Sequence, residues 1–171
     1  GKIPDRALEA LAEAKKNGHL LFINTGRTVC ALPKELYQFE FDGYLCGCGS
    51  YLLFHEEVLL ESHIEEACGQ KYIEQMRECG LDGVLEGTED LYFPKKVSRF
   101  EKLEQGRHYF GQLGLGKKKH IEEGGFLYDK IFVYADEQSE KERFFRLMED
   151  AFAVIDRGEN TYELTQKAFS K

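Results

Sequence analysis

The sequence predicts an α/β protein into which a second, α+β unit is inserted. A helical pattern over residues 4–17 precedes an apolar run at 20–24, and a helix followed by an apolar strand is typical of an α/β domain. The pattern changes near residue 64, where a helix and several short strands follow without a flexible linker. We therefore expect the α/β unit at residues 1–63, the inserted unit at 64–165 and a return to the first unit at 166–171.

The elements of the first unit follow from local signals. Pro4 suits the first position of a helix over 4–17, and Gly18 suits the position after its end. The run 20–24 does not alternate with polar residues, which predicts a strand buried on both faces, as in a parallel sheet. A short helix at 31–37, a strand at 44–46 and a hairpin over 51–64 are predicted after it.

The elements of the inserted unit are shorter and more mixed. Apolar residues at helical spacing predict a helix over 65–79 that stops at Gly80. Ser139 and Glu142 form a capping-box pattern, which predicts a helix that ends near Ala151. The other predictions are strands at 83–86, 91–93 and 129–136, partial helix at 98–123, and a hairpin of 153–156 with 161–164.

Composition and charge exclude several classes of function. The chain has 171 residues and a net charge of −8, which argues against a nucleic-acid partner, because duplex binders usually present a basic face. No apolar run approaches the ~18 residues that a membrane span needs, so we expect no membrane partner. Five cysteines and a start without a signal-peptide pattern predict free thiols and a cytoplasmic location. The oligomeric state is left open by the sequence.

Thr25, Gly26 and Arg27 follow the apolar run at 20–24 and are the first candidate site. Ligands of open α/β sheets lie beyond the carboxyl ends of the strands. A hydroxyl there can donate to a phosphate oxygen, glycine lets the backbone approach closely, and a guanidinium offers a two-pronged contact. The alternative is an ordinary turn, in which Thr25 caps a helix and Arg27 lies in solvent.

Other patterns are weaker. Residues 111–118, GQLGLGKK, resemble a phosphate-binding P-loop but end in Lys118 where a serine or threonine would hold magnesium. Cys46 and Cys48 lack the spacing of a zinc site. The adjacent pairs of glutamates are explained by solvated faces, and none of the five histidines stands out as catalytic.

The order of these features resembles a haloacid dehalogenase (HAD) superfamily phosphatase of the Cof-like, type IIB branch. The resemblance covers nearly the whole chain and is carried by residues 3–27, by DGYLCGCGSYLLF at 42–54, and by the return FAVIDRGENTYELTQKAFSK at 152–171. It implies that residues 1–63 are a partial Rossmann-like HAD core, that 64–165 are the cap domain, and that 166–171 return to the core.

The resemblance also implies roles for particular residues. Thr25 matches the threonine or serine at a strand end, and Lys171 matches the lysine that follows the cap; both would be catalytic. Lys167 is the weaker match for that lysine, because no serine precedes it. Gly26, Arg27 and Gly49 would contact the phosphate or substrate. Lys117, Lys118, Lys119, Arg99 and Arg107 are further candidates for substrate selection.

Two motifs of the family are absent from this sequence. No Asp-x-Asp pair, which would supply the nucleophile and the general acid–base, occurs in the chain, and the acidic magnesium-binding loop is missing too. We therefore expect a fragment that is inactive alone, from a magnesium-dependent phosphatase of small phosphorylated metabolites such as sugar phosphates. Cys48-Gly49-Ser50 stands where the family usually has Asn-Gly-Ala. A non-catalytic phosphate-binding or regulatory module on the same scaffold is the alternative.

Overall fold

A computed structural model describes residues 2–169 of the chain. The described residues form four α-helices: α1 (Asp5–Lys16), α2 (Glu66–Glu78), α3 (Glu101–Gln112) and α4 (Lys141–Met148). They form nine strands: β1 (Phe22–Asn24), β2 (Gly43–Cys46), β3 (Tyr51–Phe54), β4 (Glu57–Glu61), β5 (Asp82–Glu86), β6 (Leu91–Tyr92), β7 (Lys130–Tyr134), β8 (Phe152–Gly158) and β9 (Thr161–Gln166).

The first sheet has the order β1-β2-β3-β4 and contains one parallel pair. β1 runs parallel to β2, with Ile23 opposite Tyr44, whereas β2, β3 and β4 pair in antiparallel fashion. The connection from β1 to β2 holds 3-10 turns at Val29–Ala31 and Lys34–Gln38, where one short helix was expected. Pro33 separates them, because a proline disfavours helical backbone at the residue before it and Leu32 is extended.

β1 is more exposed than its composition predicts. The side chains of Leu20 and Phe22 are 60% and 40% exposed, so the expectation of a strand buried on both faces is wrong for the described residues. Within this part of the chain, β1 pairs only with β2, and α1 has no buried residue. An edge strand without a layer on each face cannot bury an unbroken apolar run.

The second sheet has the order β6-β5-β7-β9-β8, and all of its pairs are antiparallel. One of its faces packs against α2 and α4 and forms the larger core, which includes Met76, Leu85, Ile131, Phe144 and Leu164. The other face is partly covered by α3. There, Val84 and Leu103 pack with Ala31 of the segment that follows β1. The α/β fold class predicted from the sequence is confirmed.

The N-cap of α4 is Glu140, one residue after Ser139, which the capping-box pattern predicts as the N-cap. No side-chain cap hydrogen bond is formed. The Ser139 hydroxyl lies 2.9 Å from the carbonyl oxygen of Gly80, to which it donates. Ser139 therefore ties the start of α4 to the end of α2 instead of capping the helix.

Two hydrogen bonds link the segment that follows β4 to the end of β9. The Ser62 hydroxyl donates to Gln166 Oε1 over 3.0 Å, and Gln166 Nε2 donates back to the carbonyl oxygen of Ser62 over 2.9 Å. Gln166 Nε2 also lies 3.1 Å from the carbonyl oxygen of Asp129. None of the helices in residues 2–169 is long and apolar enough to cross a membrane.

Candidate active site

The carboxyl ends of β1 and β2 meet at one edge of the first sheet, because the two strands are parallel. The backbone N–H of Thr25 donates to the carbonyl oxygen of Leu45 over 2.9 Å. The N–H of Gly47 donates to the carbonyl oxygen of Arg27 over 2.8 Å. These bonds hold the loop after β1 beside the loop after β2, which is where an open α/β sheet binds ligands.

Thr25 caps a tight turn at this edge. Its hydroxyl oxygen accepts a hydrogen bond from the backbone N–H of Arg27 over 3.2 Å. A hydroxyl has one proton to donate besides its acceptor positions. Thr25 can therefore hold the turn and still donate its proton to an anion in front of the strand end. The ordinary-turn interpretation and the phosphate interpretation are compatible in this geometry.

A cleft of about 660 Å³ opens at these strand ends, between the first sheet and strands β8 and β9 of the second. Three of the predicted site residues, Thr25, Gly26 and Gly49, line it. The remaining lining residues are Asn24, Leu45, Cys48, Ala153, Val154, Ile155, Arg157, Thr165 and Phe169. Among the described residues, Arg157 is the one charged residue in this lining.

A row of charged side chains crosses the face of the second sheet that looks toward the strand ends. Residues directly opposite each other on paired strands share a face, and Glu86 is opposite Lys130 on β7. Lys130 lies 3.2 Å from Glu86 and 2.5 Å from Glu163 of β9. Arg157 Nε donates to Glu163 over 2.8 Å, and its Nη2 donates to the same oxygen.

Burial and neighbouring charges set the pKa values of this ionic cluster. Burial raises the pKa of Glu86, against the opposing effect of Lys130. Burial alone would lower the pKa of Lys130, but Glu86 and Glu163 outweigh it and the pKa is raised. Burial also opposes ionisation of Glu163, yet Lys130 and Arg157 lower its pKa. Lys130 and Glu163 are therefore both charged near neutral pH.

Cys48 connects the two sides of the cleft. Its Sγ lies 3.8 Å from the carbonyl oxygen of Gly26 and 3.7 Å from Glu163 Oε1. Burial raises the pKa of this thiol, which keeps it protonated and able to donate. The backbone of Cys48 has a positive φ of 60°, a conformation uncommon for a residue other than glycine. Cys48 thus fits the strand-end loop against a buried carboxylate of the second sheet.

Several predicted residues lie elsewhere. Arg27 Nη1 donates to the carbonyl oxygen of Ala31 over 3.2 Å, and Arg27 is not among the residues that line the cleft. Lys171 lies outside the described residues, so its predicted catalytic role stays a prediction. Lys167 donates to the carbonyl oxygen of Glu149 over 2.9 Å.

The basic candidates for substrate selection do not reach this cleft. Arg99 pairs with Asp136 at 2.9 Å, and Arg107 pairs with Glu104 at 2.9 Å. Lys118 and Lys119 line a different cleft, of about 470 Å³, beside Glu61 and His63. Lys117 lies near α3, next to His108 and Gln112.

The backbone N–H groups at the end of the P-loop-like segment 111–118 do bind an anion, which is the side-chain carboxylate of Asp90. The carboxylate of Asp90 accepts hydrogen bonds from the N–H groups of Gly116, Lys117 and Lys118 over 2.6, 3.1 and 2.9 Å. Asp90 is 2% exposed. The sequence resemblance to a phosphate loop thus reflects a real geometry that a buried side chain fills.

His63 and the buried cluster are features that sequence reasoning missed. His63 Nδ1 lies 2.6 Å from Asp129 Oδ1, and its Nε2 lies 3.2 Å from Glu61. Burial raises the pKa of Asp129 to about 6, with His63 opposing the shift.

The sequence did contain a signal for the ionic cluster of the second sheet: in TYELTQ, Glu163 stands in the middle of a strand pattern. Its partner Lys130 stands likewise at the start of KIFVY.

The described residues do not provide a metal centre. They bring together no group of three or more histidine, cysteine or acidic side chains that could hold a metal ion. Residues 2–169 alone therefore do not fit a magnesium ion.

The family follows from a comparison with known proteins. Residues 1–171 match the model of the haloacid dehalogenase-like hydrolases, and the chain belongs to that family. The resemblance inferred from the sequence is thereby confirmed. No protein of curated function matches this sequence significantly.

Solved structures share the fold at low sequence identity. A hypothetical protein from Geobacillus kaustophilus has a TM-score of 0.78 at 16% identity, over 99% of this chain and 64% of its own. A sugar phosphatase of HAD subclass IIB has a TM-score of 0.73 at 19% identity, over 99% and 65%. A HAD-superfamily phosphatase from Bacteroides thetaiotaomicron has a TM-score of 0.73 at 17% identity, over 99% and 62%. The chain spans less than two-thirds of the length of each of these structures.

Proposed function

We propose that this chain forms the cap and part of the core of a magnesium-dependent phosphatase that acts on small phosphorylated metabolites. In this proposal the first sheet belongs to the core, residues 64–165 are the cap, and residues 166–171 return to the core. The Asp-x-Asp pair and the magnesium ligands would come from polypeptide that the relatives possess and this chain does not span. The location would be cytoplasmic, and neither nucleic acid nor a membrane would be a partner.

The observation that carries the proposal is the cleft at the carboxyl ends of β1 and β2. A hydroxyl from Thr25 and two close-approach glycines, Gly26 and Gly49, line one wall, and the second sheet forms the other. Phosphoryl transfer is catalysed mainly by positioning and by stabilising negative charge. On a chain with a net charge of −8, that stabilisation has to come from local donors, which this wall supplies.

The residues of this chain would have distinct tasks. The Thr25 hydroxyl would donate to an oxygen of the transferring phosphoryl group, and Lys171 would offset its charge. The glycines would let the backbone approach that group. The attack of an aspartate on phosphorus, which gives an aspartyl-phosphate that water hydrolyses, would be the task of the Asp-x-Asp pair. The second sheet would exclude water and select the leaving group.

A comparison of Thr25 variants tests the proposal. In a polypeptide that includes the Asp-x-Asp pair, Thr25→Ala should lower kcat for a generic aryl phosphate by about 10²–10³-fold, as for the loss of an oxyanion donor. Thr25→Ser keeps the hydroxyl and should retain most of the activity. Thr28 is a buried threonine outside the cleft lining, so Thr28→Ser serves as the matched control. Equal activity of wild type and Thr25→Ala would exclude the assigned role.

A non-catalytic phosphate-binding or regulatory module is the second candidate. It is favoured by Cys48, whose thiol contacts both Gly26 and Glu163 at the position where the family usually has asparagine. Magnesium-dependent turnover of an aryl phosphate would exclude this candidate, and phosphate binding without turnover would support it.

A further inference from the structure

We infer that Arg157 determines substrate specificity by binding an anionic group on the leaving-group side of the substrate. The inference depends on the proposed function and narrows its substrate class. The expected substrates are phosphate monoesters whose leaving group carries a carboxylate or a second phosphate, rather than neutral sugar phosphates.

Arg157 is fixed in the cleft wall by the strand pairing around it. The pairing of β8 with β9 shifts between Asp156 and Gly158, so that Arg157 is the extra residue of a β-bulge. Ala153 and Ile155 line the same cleft, so the alternation of β8 places Arg157 on this face as well. The guanidinium then donates twice to Glu163 Oε2, through Nε and Nη2. This bidentate contact sets the plane of the guanidinium before any ligand arrives.

Arg157 and Lys130 contact different oxygens of Glu163. Lys130 is buried and lies 2.5 Å from Oε1, whereas Arg157 donates to Oε2. The Arg157 side chain remains 48% exposed on the cleft side of the pair. The guanidinium is therefore held on its Glu163 side and is open to the cleft on its other side.

The remaining N–H groups of Arg157 have no hydrogen-bond partner in the described part of the chain, and the residue lines the cleft. Arg157 belongs to the cleft wall that β8 and β9 form, whereas Thr25 belongs to the wall that the strand-end loops of the first sheet form. A phosphate monoester bound at Thr25 would therefore extend its leaving group toward Arg157. The rest of that wall is uncharged, formed by residues such as Ala153, Ile155 and Thr165.

Matched substrate pairs test the inference. Glycerol 3-phosphate and 3-phosphoglycerate differ in a hydroxymethyl group against a carboxylate, and fructose 6-phosphate and fructose 1,6-bisphosphate differ in a second phosphate. In a polypeptide that includes the Asp-x-Asp pair, kcat/KM should be higher, in one or both pairs, for the compound whose leaving group is anionic. Arg157→Gln should reduce that preference by about 10–100-fold, the effect of one charged hydrogen bond. The kcat/KM for glycerol 3-phosphate and fructose 6-phosphate, whose leaving groups are uncharged, should change by no more than about 3-fold.

Two further variants separate binding from folding. Arg157→Lys keeps the charge but not the bidentate contact, and should keep part of the preference. Arg146→Gln removes an exposed arginine of α4 and should leave the preference unchanged. Circular dichroism checks that each variant is folded. An unchanged preference in Arg157→Gln, or an equal loss for both members of a pair, would overturn the inference.

A direct binding measurement decides the inference if no phosphatase activity exists. Calorimetric titration of the 171-residue chain with the same four compounds would then show tighter binding of the compounds whose leaving groups are anionic. Arg157→Gln would remove this difference in affinity. No turnover in the longer polypeptide would reject the proposed function. Equal binding of both members, or no binding, would reject the role of Arg157.

Discussion

The sulfur of Cys48 occupies the space into which a side chain at Gly26 would extend. A Cβ at position 26 would lie 3.1 Å from Cys48 Sγ, closer than ordinary van der Waals contact. Gly26 has no positive φ, so its backbone would accept alanine. The loop after β1 can therefore pack against the loop after β2 because residue 26 has no side chain and residue 48 has a small one.

Gly26→Ala should destabilise the chain by about 1–3 kcal/mol, the usual cost of overpacking. The added methyl group must displace the Cys48 sulfur, which also contacts Glu163. Cys48→Ala should relieve the clash, so the double variant should be more stable than the sum of the single effects predicts. Urea denaturation of the wild type, both single variants and the double variant measures this coupling. Strict additivity would contradict the proposed contact.

Lys130→Met should destabilise the protein by about 3–5 kcal/mol, because it leaves buried Glu163 with one partner fewer and Glu86 without its cation. Both Lys130 and Glu163 are 4% exposed, so solvent cannot replace the lost charge. Adding Glu86→Gln should recover part of the loss, since it removes one of the two stranded carboxylates. Lys141→Met, at a half-buried lysine of α4, is the control. Equal effects of Lys130→Met and Lys141→Met in chemical denaturation would contradict this account.

Asp129 should make stability depend on pH between about 4 and 7. Its pKa in the folded chain is raised to about 6, chiefly by burial. An acid with a raised pKa contributes stability that is fully present below its ordinary pKa and is lost as the pH rises through the folded value. Relative to Asp129→Asn, the wild type should therefore lose about 2 kcal/mol of unfolding free energy between pH 4 and pH 7.

Urea denaturation of both proteins at several pH values checks this prediction. The comparison with Asp129→Asn cancels the contributions of other groups, such as Asp42, whose pKa is lowered by the backbone N–H of Leu21. His63, Glu61 and Glu86 all face Asp129, so His63→Gln should change the size of the pH effect. A constant difference between wild type and Asp129→Asn would show that Asp129 does not titrate in this range.

Asp90→Ala should destabilise the chain by at least about 2 kcal/mol, because it strands several backbone N–H groups at 116–118. The N–H of Leu91, which Asp90 also accepts over 2.9 Å, loses its partner as well. Asp90→Asn keeps one acceptor oxygen and should cost less. The adjacent Glu89 is exposed and lies 3.5 Å from Lys118, so Glu89→Ala should cost no more than about 1 kcal/mol. Similar losses for Asp90→Ala and Glu89→Ala in urea denaturation would refute the assignment.

Local sequence patterns predicted the order of the elements and the position of Thr25. An apolar run that stops at Thr-Gly marks a strand end wherever the strand lies, so the candidate turn could be found without knowing the sheet. The burial of β1 could not be predicted, because it depends on which elements cover residues such as Leu20. The capping box at Ser139 was wrong for a related reason: the Gly80 carbonyl that binds its hydroxyl is 59 residues away.

The role of Arg157 could not be read from the sequence. There it belongs to a hairpin turn, whereas in the structure β8 extends to Gly158 and Arg157 lies on the face that carries Glu163. Its partner Glu163 is held by Lys130, a residue 33 positions distant on another strand. The pairing of β7 with β9 decides that Lys130 meets Glu163, and α4 and β8 separate those two strands in the chain.

The reciprocal bonds between Ser62 and Gln166 join the segment that follows β4 to the end of β9. Any displacement of the first sheet relative to the second would therefore have to break both side-chain bonds together, or carry the end of β9 along with Ser62.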